Sequence, residues 1–468
     1  KTRKGVVVVK SEHAAAVHVS EELLQNKKDS QLNIKRKQVA DASVSIKNEH
    51  GQGAFVKRET TGGGEWFRLC TTQELSCKLT LASGQVFSWR FHGYAQEWSG
   101  VVGDNVFALR ERDQCVEFRC LHPLDFPAQH AHEILTHYFR LEVDTAPLYK
   151  LWTAQDDKMA QLIRCLPGYR LVRQDPVECL FAFICSSNNN IQRIQQMVDK
   201  LRATYGTLLC TVPSDSGEDA TMVQGLSNSY YSFPSTDTLA DKCEEATLRT
   251  LGFGYRAPFI TKSSQQLVGL GGIKYLHQLR DWKPAIETES VDDYQEKLMV
   301  FMGVGRKVAD CIGLFSLEKL DAIPVDTHVW QIACREFDTS LKDKKSITPS
   351  VYKTVGDHFR SRFSPFAGWA HSVLFTGDLT SFQSHLPTAM QKKKKVTTTK
   401  KKKTTVVTVV SVKGEATNSS SSTGAKAKDT KKRARKTVVT VKDESGAPVP
   451  TKKSAKFVKT QASSDASA

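Results

Sequence analysis

The chain has 468 residues and a formal net charge of +16. That is room for two or three domains, and no apolar run approaches the ~18 residues of a membrane span. The excess charge is confined to one end: from Gln391 onward there are 21 basic and 5 acidic residues, while residues 65–390 carry 33 basic against 38 acidic. Bulk charge therefore points to nucleic acid only for the tail, and the central region must bind any DNA through local patches. Eleven cysteines are scattered through mostly apolar segments without a CxxC pair. They read as buried thiols of a reducing compartment and not as a disulfide framework.

Residues 1–64 are polar, poor in aromatics and end in Thr61-Gly62-Gly63-Gly64, a disordered N-terminal extension. Over 65–165 the β-rich segments LSCKLTLASGQVFSWRF, EWSGVVGDNVFALRE and CVEFRC alternate with turns and predict an antiparallel sheet domain. Within it Ser83-Gly84-Gln85 reads on its own as a hairpin turn. From Phe126 the pattern turns helical, and 166–385 reads as a mainly α-helical domain. The helix begun at Pro176 ends in Ser186-Ser187-Asn188-Asn189-Asn190, a turn, since asparagine tolerates the left-handed region. Cys210–Tyr231 reads as a polar loop, Gly252–Arg256 as a helix C-cap and loop, and FAGWAHSVLFTGDL as a buried helix. The fold class expected is α+β, a sheet followed by helices, with a disordered basic tail over 386–468.

Between Val291 and Ile332 the sequence VDDYQEKLMVFMGVGRKVADCIGLFSLEKLDAIPVDTHVWQI reads as helix, tight turn, helix and a Pro-Val-Asp segment opening another helix. Ser290, with Asp293 three residues on, can cap the first helix. Met302-Gly303-Val304-Gly305 makes the turn, where glycine takes positive φ cheaply. The second helix, from about Arg306 to Leu317, starts with a row of free backbone N–H groups suited to a phosphate. Lys307, Cys311 and Leu314 fall at i, i+4, i+7 on one face. A lysine on a largely apolar face near a helix's positive end is where an ammonium is disfavoured and a nucleophilic amine becomes accessible. Asp326, nineteen residues later and just past Pro324-Val325, sits where an N-cap belongs. On the residues alone, Lys307 could equally be a phosphate contact.

GVGRKVADCI followed by PVDTHVWQIA resembles the motif of the helix-hairpin-helix DNA glycosylase superfamily, and within it most closely the 8-oxoguanine DNA glycosylase family. LTLASGQVFSWR and ICSSNNNIQRI carry the same resemblance, which spans about 66–382. It implies a bifunctional glycosylase and abasic-site lyase acting on damaged double-stranded DNA, with Lys307 as nucleophile and Asp326 stabilising the charge that develops on the sugar. The Gly84 carbonyl would accept from N7–H of 8-oxoguanine. Phe375 and Cys311 would take the two faces of the base, with Pro324, Asp326 and His371 completing the pocket. Asn188 would fill the space left by the extruded nucleotide. Arg193 and Arg256 would read the orphaned cytosine, Tyr255 would wedge the stack, and Asn190, Gly303, Val304, Gly305 and His328 would contact DNA. The backbone carbonyls of Met299, Phe301 and Val304 would hold a structural monovalent or calcium ion; no other cofactor is implied. No cysteine follows Cys334, so the iron–sulfur loop of the endonuclease III relatives is absent. The departures are Met302 for the usual proline, Phe315 for methionine and, above all, His371 for a glutamine whose amide both donates and accepts toward the base edge.

Lys431–Lys436 resembles a nuclear import signal, and a nonspecific DNA tether is an equal reading; a mitochondrial share is compatible with either. The pattern apolar-Lys-x-Glu occurs at Lys10, Lys47, Lys57, Lys413 and Lys442 and nowhere between 65 and 390, against about one chance match in this length. It resembles the acceptor pattern for a small ubiquitin-like modifier, although a bias toward Val-Lys pairs also produces it. A monomer without a membrane partner is expected. Readings from other classes are a non-catalytic hairpin DNA-binding protein, which would need neither Lys307 nor Asp326, a chromatin scaffold acting through the tails, and a related glycosylase with another base preference.

Overall fold

The computed structural model describes residues 57–58, 65–212, 228–282 and 293–392. Ser290 and the modifier motifs at Lys10, Lys47, Lys413 and Lys442 lie outside the described residues, as does the import-like run at Lys431–Lys436. The sheet has the order β1-β2-β6-β5-β4-β3, with β1 (Lys57–Arg58), β2 (Trp66–Thr71), β3 (Trp89–His92), β4 (Glu97–Val102), β5 (Asn105–Arg112) and β6 (Cys115–His122), all antiparallel. Lys57–Arg58 thus pairs with β2, within the extension of residues 1–64 that reads as mostly disordered. The β5–β6 hairpin turns through Asp113 and Gln114, both at positive φ (49° and 61°), the twist-matched geometry for a two-residue loop.

In β5, Val106, Phe107, Ala108 and Leu109 are all buried, because both faces of the sheet are covered. Phe107 and Leu109 join a cluster with Leu135 and Phe139 of the helical side; Val106 packs with Val101 and Tyr230. Tyr230 comes from a small ribbon, β7 (Leu208–Thr211) with β8 (Ser229–Tyr231). The sequence reading took that region for a polar loop. Its strands are short, and the packing of Tyr230 against the sheet selects them.

The stretch CKLTL is likewise not a strand but a helix, α1 (Cys77–Leu81). The Ser76 side chain accepts from Leu79 N–H, and Glu111 of β5 accepts from Cys77 N–H at 2.7 Å, so tertiary contacts satisfy the free amides of its first turn. Leu79 faces the helical core while Cys77 and Leu81 face the sheet core. The helical part then runs α2 (Ala128–Tyr138), α3 (Thr145–Thr153), α4 (Asp157–Cys165), α5 (Pro176–Ser186), α6 (Ile191–Tyr205), α7 (Thr236–Lys242), α8 (Glu245–Thr250), α9 (Ala257–Gly269), α10 (Ile273–Asp281), α11 (Asp293–Leu298), α12 (Arg306–Ser316), α13 (Thr327–Glu336), α14 (Pro349–Phe363) and α15 (Ala367–Asp378). The buried faces of α5, α12 and α15 meet in one core. Among the described residues, no helix is long and apolar enough to cross a membrane.

Candidate active site at the hairpin

The hairpin turn between α11 and α12 depends on one glycine. Gly303 has φ +86°, and an added Cβ would stand 2.6 Å from the Phe259 ring, so neither the backbone nor the space admits a side chain. Gly305, also expected to need positive φ, is extended at −105° and serves as a side-chain-free N-cap. No side chain caps the start of α12, and Gly305 and Arg306 are exposed, so its first amides are open to an anion.

Lys307 projects from the first turn of α12 with Nζ 5.7 Å from the Phe183 ring centroid. Asp326 caps α13, its Oδ1 accepting from the N–H groups of His328 and Val329 at 2.9 Å each. Those bonds leave Oδ2 for the pocket that both residues line. Burial pushes the Lys307 ammonium toward the amine, while the Cys311 sulfur and the Asp326 carboxylate push it the other way, and the net displacement is upward. The Cys311 contribution needs a thiolate, yet burial pushes that thiol up to about 11. At neutral pH, therefore, burial and Asp326 alone compete over Lys307. Of these two, burial is the larger and favours the amine, with the Asp326 carboxylate opposing it.

Gly84, Lys307, Cys311, Pro324, Asp326, His371 and Phe375 all line one pocket. Gly84 adopts φ +85°, and an added Cβ would meet Ile191 at 2.9 Å. It is not a hairpin turn but part of an irregular run between α1 and β3, held by Gln85. That side chain donates to the carbonyls of Thr80 (2.9 Å) and Arg170 (2.8 Å) and accepts from Val172 N–H (2.9 Å). His371 is 4 % exposed, and neither ring nitrogen has a hydrogen-bond partner; the Gly368 carbonyl is nearby without hydrogen-bond geometry. Burial depresses its pKa to about 4 against the pull of Asp326, so the imidazole is neutral, with one donor and one acceptor unspent. Its ring stacks on Phe375 at 6.2 Å and 22°. Phe315 stacks on Phe183 at 5.5 Å, making Phe183 a pocket wall that the sequence reading did not single out. Every residue of VECLFAFIC from Val177 to Cys185 except Glu178 is buried, so periodicity could not mark the one facing the pocket.

The pocket is continued by a cleft of about 1060 Å³ lined by Gly84, Asn188, Asn190, Gly303, Gly305, Lys307, Asp326, His328 and Phe375. Asn188 takes φ +47°, as the turn reading required. Asn190 caps α6 by accepting from Arg193 N–H at 2.9 Å. Tyr255 is 48 % exposed with its hydroxyl on the Ser187 carbonyl at 2.8 Å. Arg193 donates to the Gly252 carbonyl at 3.3 Å. Arg256, expected to reach a base, is only 2 % exposed: it donates to the carbonyls of Ser187 and Asn188 and lies over the Tyr255 ring at 4.3 Å. In this state it holds the asparagine turn in shape. Arg193, Tyr255, Arg256 and Val304 do not line the cleft. Of the three hairpin carbonyls, that of Phe301 accepts from Val304 N–H at 3.1 Å and keeps a second lone pair. With Met299 and Val304 this is an all-oxygen donor set suited to a hard cation.

Comparison with known proteins gives the same assignment. Residues 68–180 match the family profile described as 8-oxoguanine DNA glycosylase, N-terminal domain, and 181–353 match the HhH-GPD superfamily of base excision DNA repair proteins. The N-glycosylase/DNA lyase OGG1 of Arabidopsis thaliana is 36% identical over 338 residues, 72% of this chain and 86% of its own length. The N-glycosylase/DNA lyase of Saccharomyces cerevisiae is 32% identical over 332 residues, 65% and 84% of the two chains. The fold is shared with the Clostridium acetobutylicum 8-oxoguanine glycosylase/lyase solved with DNA containing cytosine opposite 8-oxoG, with a TM-score of 0.55, 24% identity, and 69% and 97% of the two chains covered. With the lysine, the capping aspartate and the pocket between the Gly84 run and the helices in place, this chain belongs to the 8-oxoguanine DNA glycosylase family of N-glycosylase/DNA lyases.

Proposed function

We propose that this enzyme excises 8-oxoguanine lying opposite cytosine in duplex DNA, through a Schiff base on Lys307, and then cuts the strand by β-elimination. The observation that supports it most is the convergence of Lys307, Asp326, Gly84 and the unpartnered His371 on one pocket. The amine of Lys307 attacks C1′ as the N-glycosidic bond breaks and its electron pair leaves with the base. Asp326 lowers the cost of the positive charge on the sugar. The lysine nitrogen of the C1′ adduct gives up a proton, the C1′–O4′ bond breaks to leave the imine with O4′ protonated, and loss of a proton from C2′ then breaks the C3′–O3′ bond and releases the 3′ phosphate. His371 is not the acceptor of the Lys307 proton. Burial holds its imidazole near 4, too weak a base to take a proton from an ammonium.

In the base pocket, the Gly84 carbonyl would accept N7–H of the oxidised base, where normal guanine presents a lone pair; one such contact is worth about 1–3 kcal/mol. The neutral His371 would read the base edge with a single donor and a single acceptor, and this feature favours a second reading, a base preference shifted from that of a glutamine-bearing pocket. The asparagine turn would enter the gap left by the flipped nucleotide, with Arg193 and Arg256 released onto the cytosine and Tyr255 as the wedge. A calcium or monovalent ion on Met299, Phe301 and Val304 would stiffen the hairpin against a phosphate. The enzyme would act as a monomer in the nucleus, also compatible with a mitochondrial pool, with small ubiquitin-like modifier on Lys10, Lys47, Lys57, Lys413 and Lys442.

Borohydride trapping on an 8-oxoguanine:cytosine duplex tests the chemistry. A covalent adduct is expected from the unsubstituted enzyme and none from Lys307→Gln. Asp326→Asn, which preserves the cap but not the charge, should slow base release at least about a hundredfold. No adduct with the unsubstituted enzyme would rule the mechanism out.

A further inference from the structure

Three residues past Lys307, Asp310 is 1 % exposed, and its carboxylate gathers donors from two sides. Oδ1 accepts from Tyr294 Oη and, at 2.7 Å, from Gln295 Nε2, both on α11. Oδ2 accepts from Tyr352 Oη on α14. The Tyr352 oxygen in turn accepts Val325 N–H at 3.3 Å and lies 3.2 Å from the Ile323 carbonyl. Val325 is the residue before Asp326. A continuous path of hydrogen bonds therefore runs from the helix carrying Lys307, through one carboxylate and one phenol, to the backbone carrying Asp326.

A buried carboxylate is a costly way to fill space unless its lone pairs are used. Here they join α11, α12 and α14. Without Tyr352, the Val325 amide, in a buried residue, would lose its acceptor. The bond from phenol to carboxylate is charge-assisted and directional, which a packed apolar pair in the same place would not be. Tyr352 also lines the cleft, so DNA entering it would press on the strut itself.

We propose that Asp310 and Tyr352 are positioning residues that set Asp326 against Lys307, an inference that rests on the roles given to those two residues above. Removing the Tyr352 hydroxyl frees the Pro324–Asp326 segment from the hairpin, whereas removing the Tyr294 hydroxyl takes a donor from the same carboxylate on the hairpin side only. The first loss costs more stability, because it also removes the acceptor of the buried Val325 amide, and the two differ in what they loosen.

The test compares Tyr352→Phe with Tyr294→Phe in the full chain, well below both thermal midpoints. Single-turnover base release and borohydride-trapped adduct on the 8-oxoguanine duplex should fall about ten- to a hundredfold for Tyr352→Phe. Affinity for a duplex bearing a reduced abasic-site analogue should stay within about twofold, and Tyr294→Phe should keep its rate within about threefold while losing a measurable but smaller amount of thermal stability. Equal rate losses in the two variants, or a Tyr352→Phe loss expressed entirely in affinity, would overturn the positioning role. Absence of an adduct from the unsubstituted enzyme would instead overturn the Lys307 chemistry beneath it.

Discussion

Replacing Glu318 with glutamine should cost this protein about 2–4 kcal/mol at neutral pH. Glu318 stands at φ +58° two residues past the end of α12, and its carboxylate joins Arg140, 1 % exposed, to Arg173, whose Nε lies 2.8 Å away. Burial pushes the carboxyl upward, but the two guanidiniums outweigh it and bring its pKa from 4.5 to about 2. A difference of that size is worth about 3 kcal/mol at pH 7, trimmed to about 2 because 30 % of the side chain is exposed. The upper figure adds the cost of leaving Arg140 buried without its counter-charge. The sign follows from the depressed value: the stabilisation is complete above 4.5 and is lost as pH falls from 4.5 toward 2. Urea unfolding followed by tryptophan fluorescence should show the variant weaker at pH 7. The gap should close on acidification, since the unsubstituted protein alone loses this contribution. A variant within about 0.5 kcal/mol at pH 7, or a gap that persists undiminished at about pH 3, would refute the argument.

Two further outcomes follow from the site. Gly303→Ala meets both a positive φ and the Phe259 ring at 2.6 Å, and should destabilise by about 2–4 kcal/mol and weaken binding to an abasic-analogue duplex at least about tenfold; an unchanged thermal midpoint would show that the turn adapts. His371→Gln should change the ratio of base-release rates between 8-oxoguanine and other oxidised purines by about tenfold or more. Because burial holds His371 near 4, the pH–rate profiles of the two proteins should have the same shape above about pH 5; a break near pH 6.5 present only with histidine would show that the imidazole titrates in function.

Much of the site was legible locally. The Lys307–Asp326 pair, the hairpin glycine and the asparagine turn each follow from a short-range rule: helix periodicity, a glycine-only φ, or side-chain capping. The errors arose where a local rule met a distant partner. CKLTL has a strand's composition, yet Glu111 supplies the helix cap from across the sheet. The β7–β8 ribbon exists because the sheet offers Tyr230 a surface. Arg256, which the resemblance assigns to the orphaned cytosine, is held by the Ser187 and Asn188 carbonyls in the free protein.

The sequence by itself determined a lysine at an open helix start and an aspartate at the next helix cap, properties of residue type and of spacing within one or two turns of chain. The glycine, aromatic and histidine of the base pocket followed only from the family resemblance. Only the tertiary structure decided the protonation states and the rigidity of the site. Whether His371 is neutral depends on burial by Phe359 and Phe375, and whether Lys307 is an ammonium depends on its burial set against the nearness of Asp326. What holds Asp326 in place is a tyrosine 26 residues further along, bonded to a carboxylate three residues from the lysine. Desolvation and long-range hydrogen bonds are sums over neighbours that no window of sequence contains.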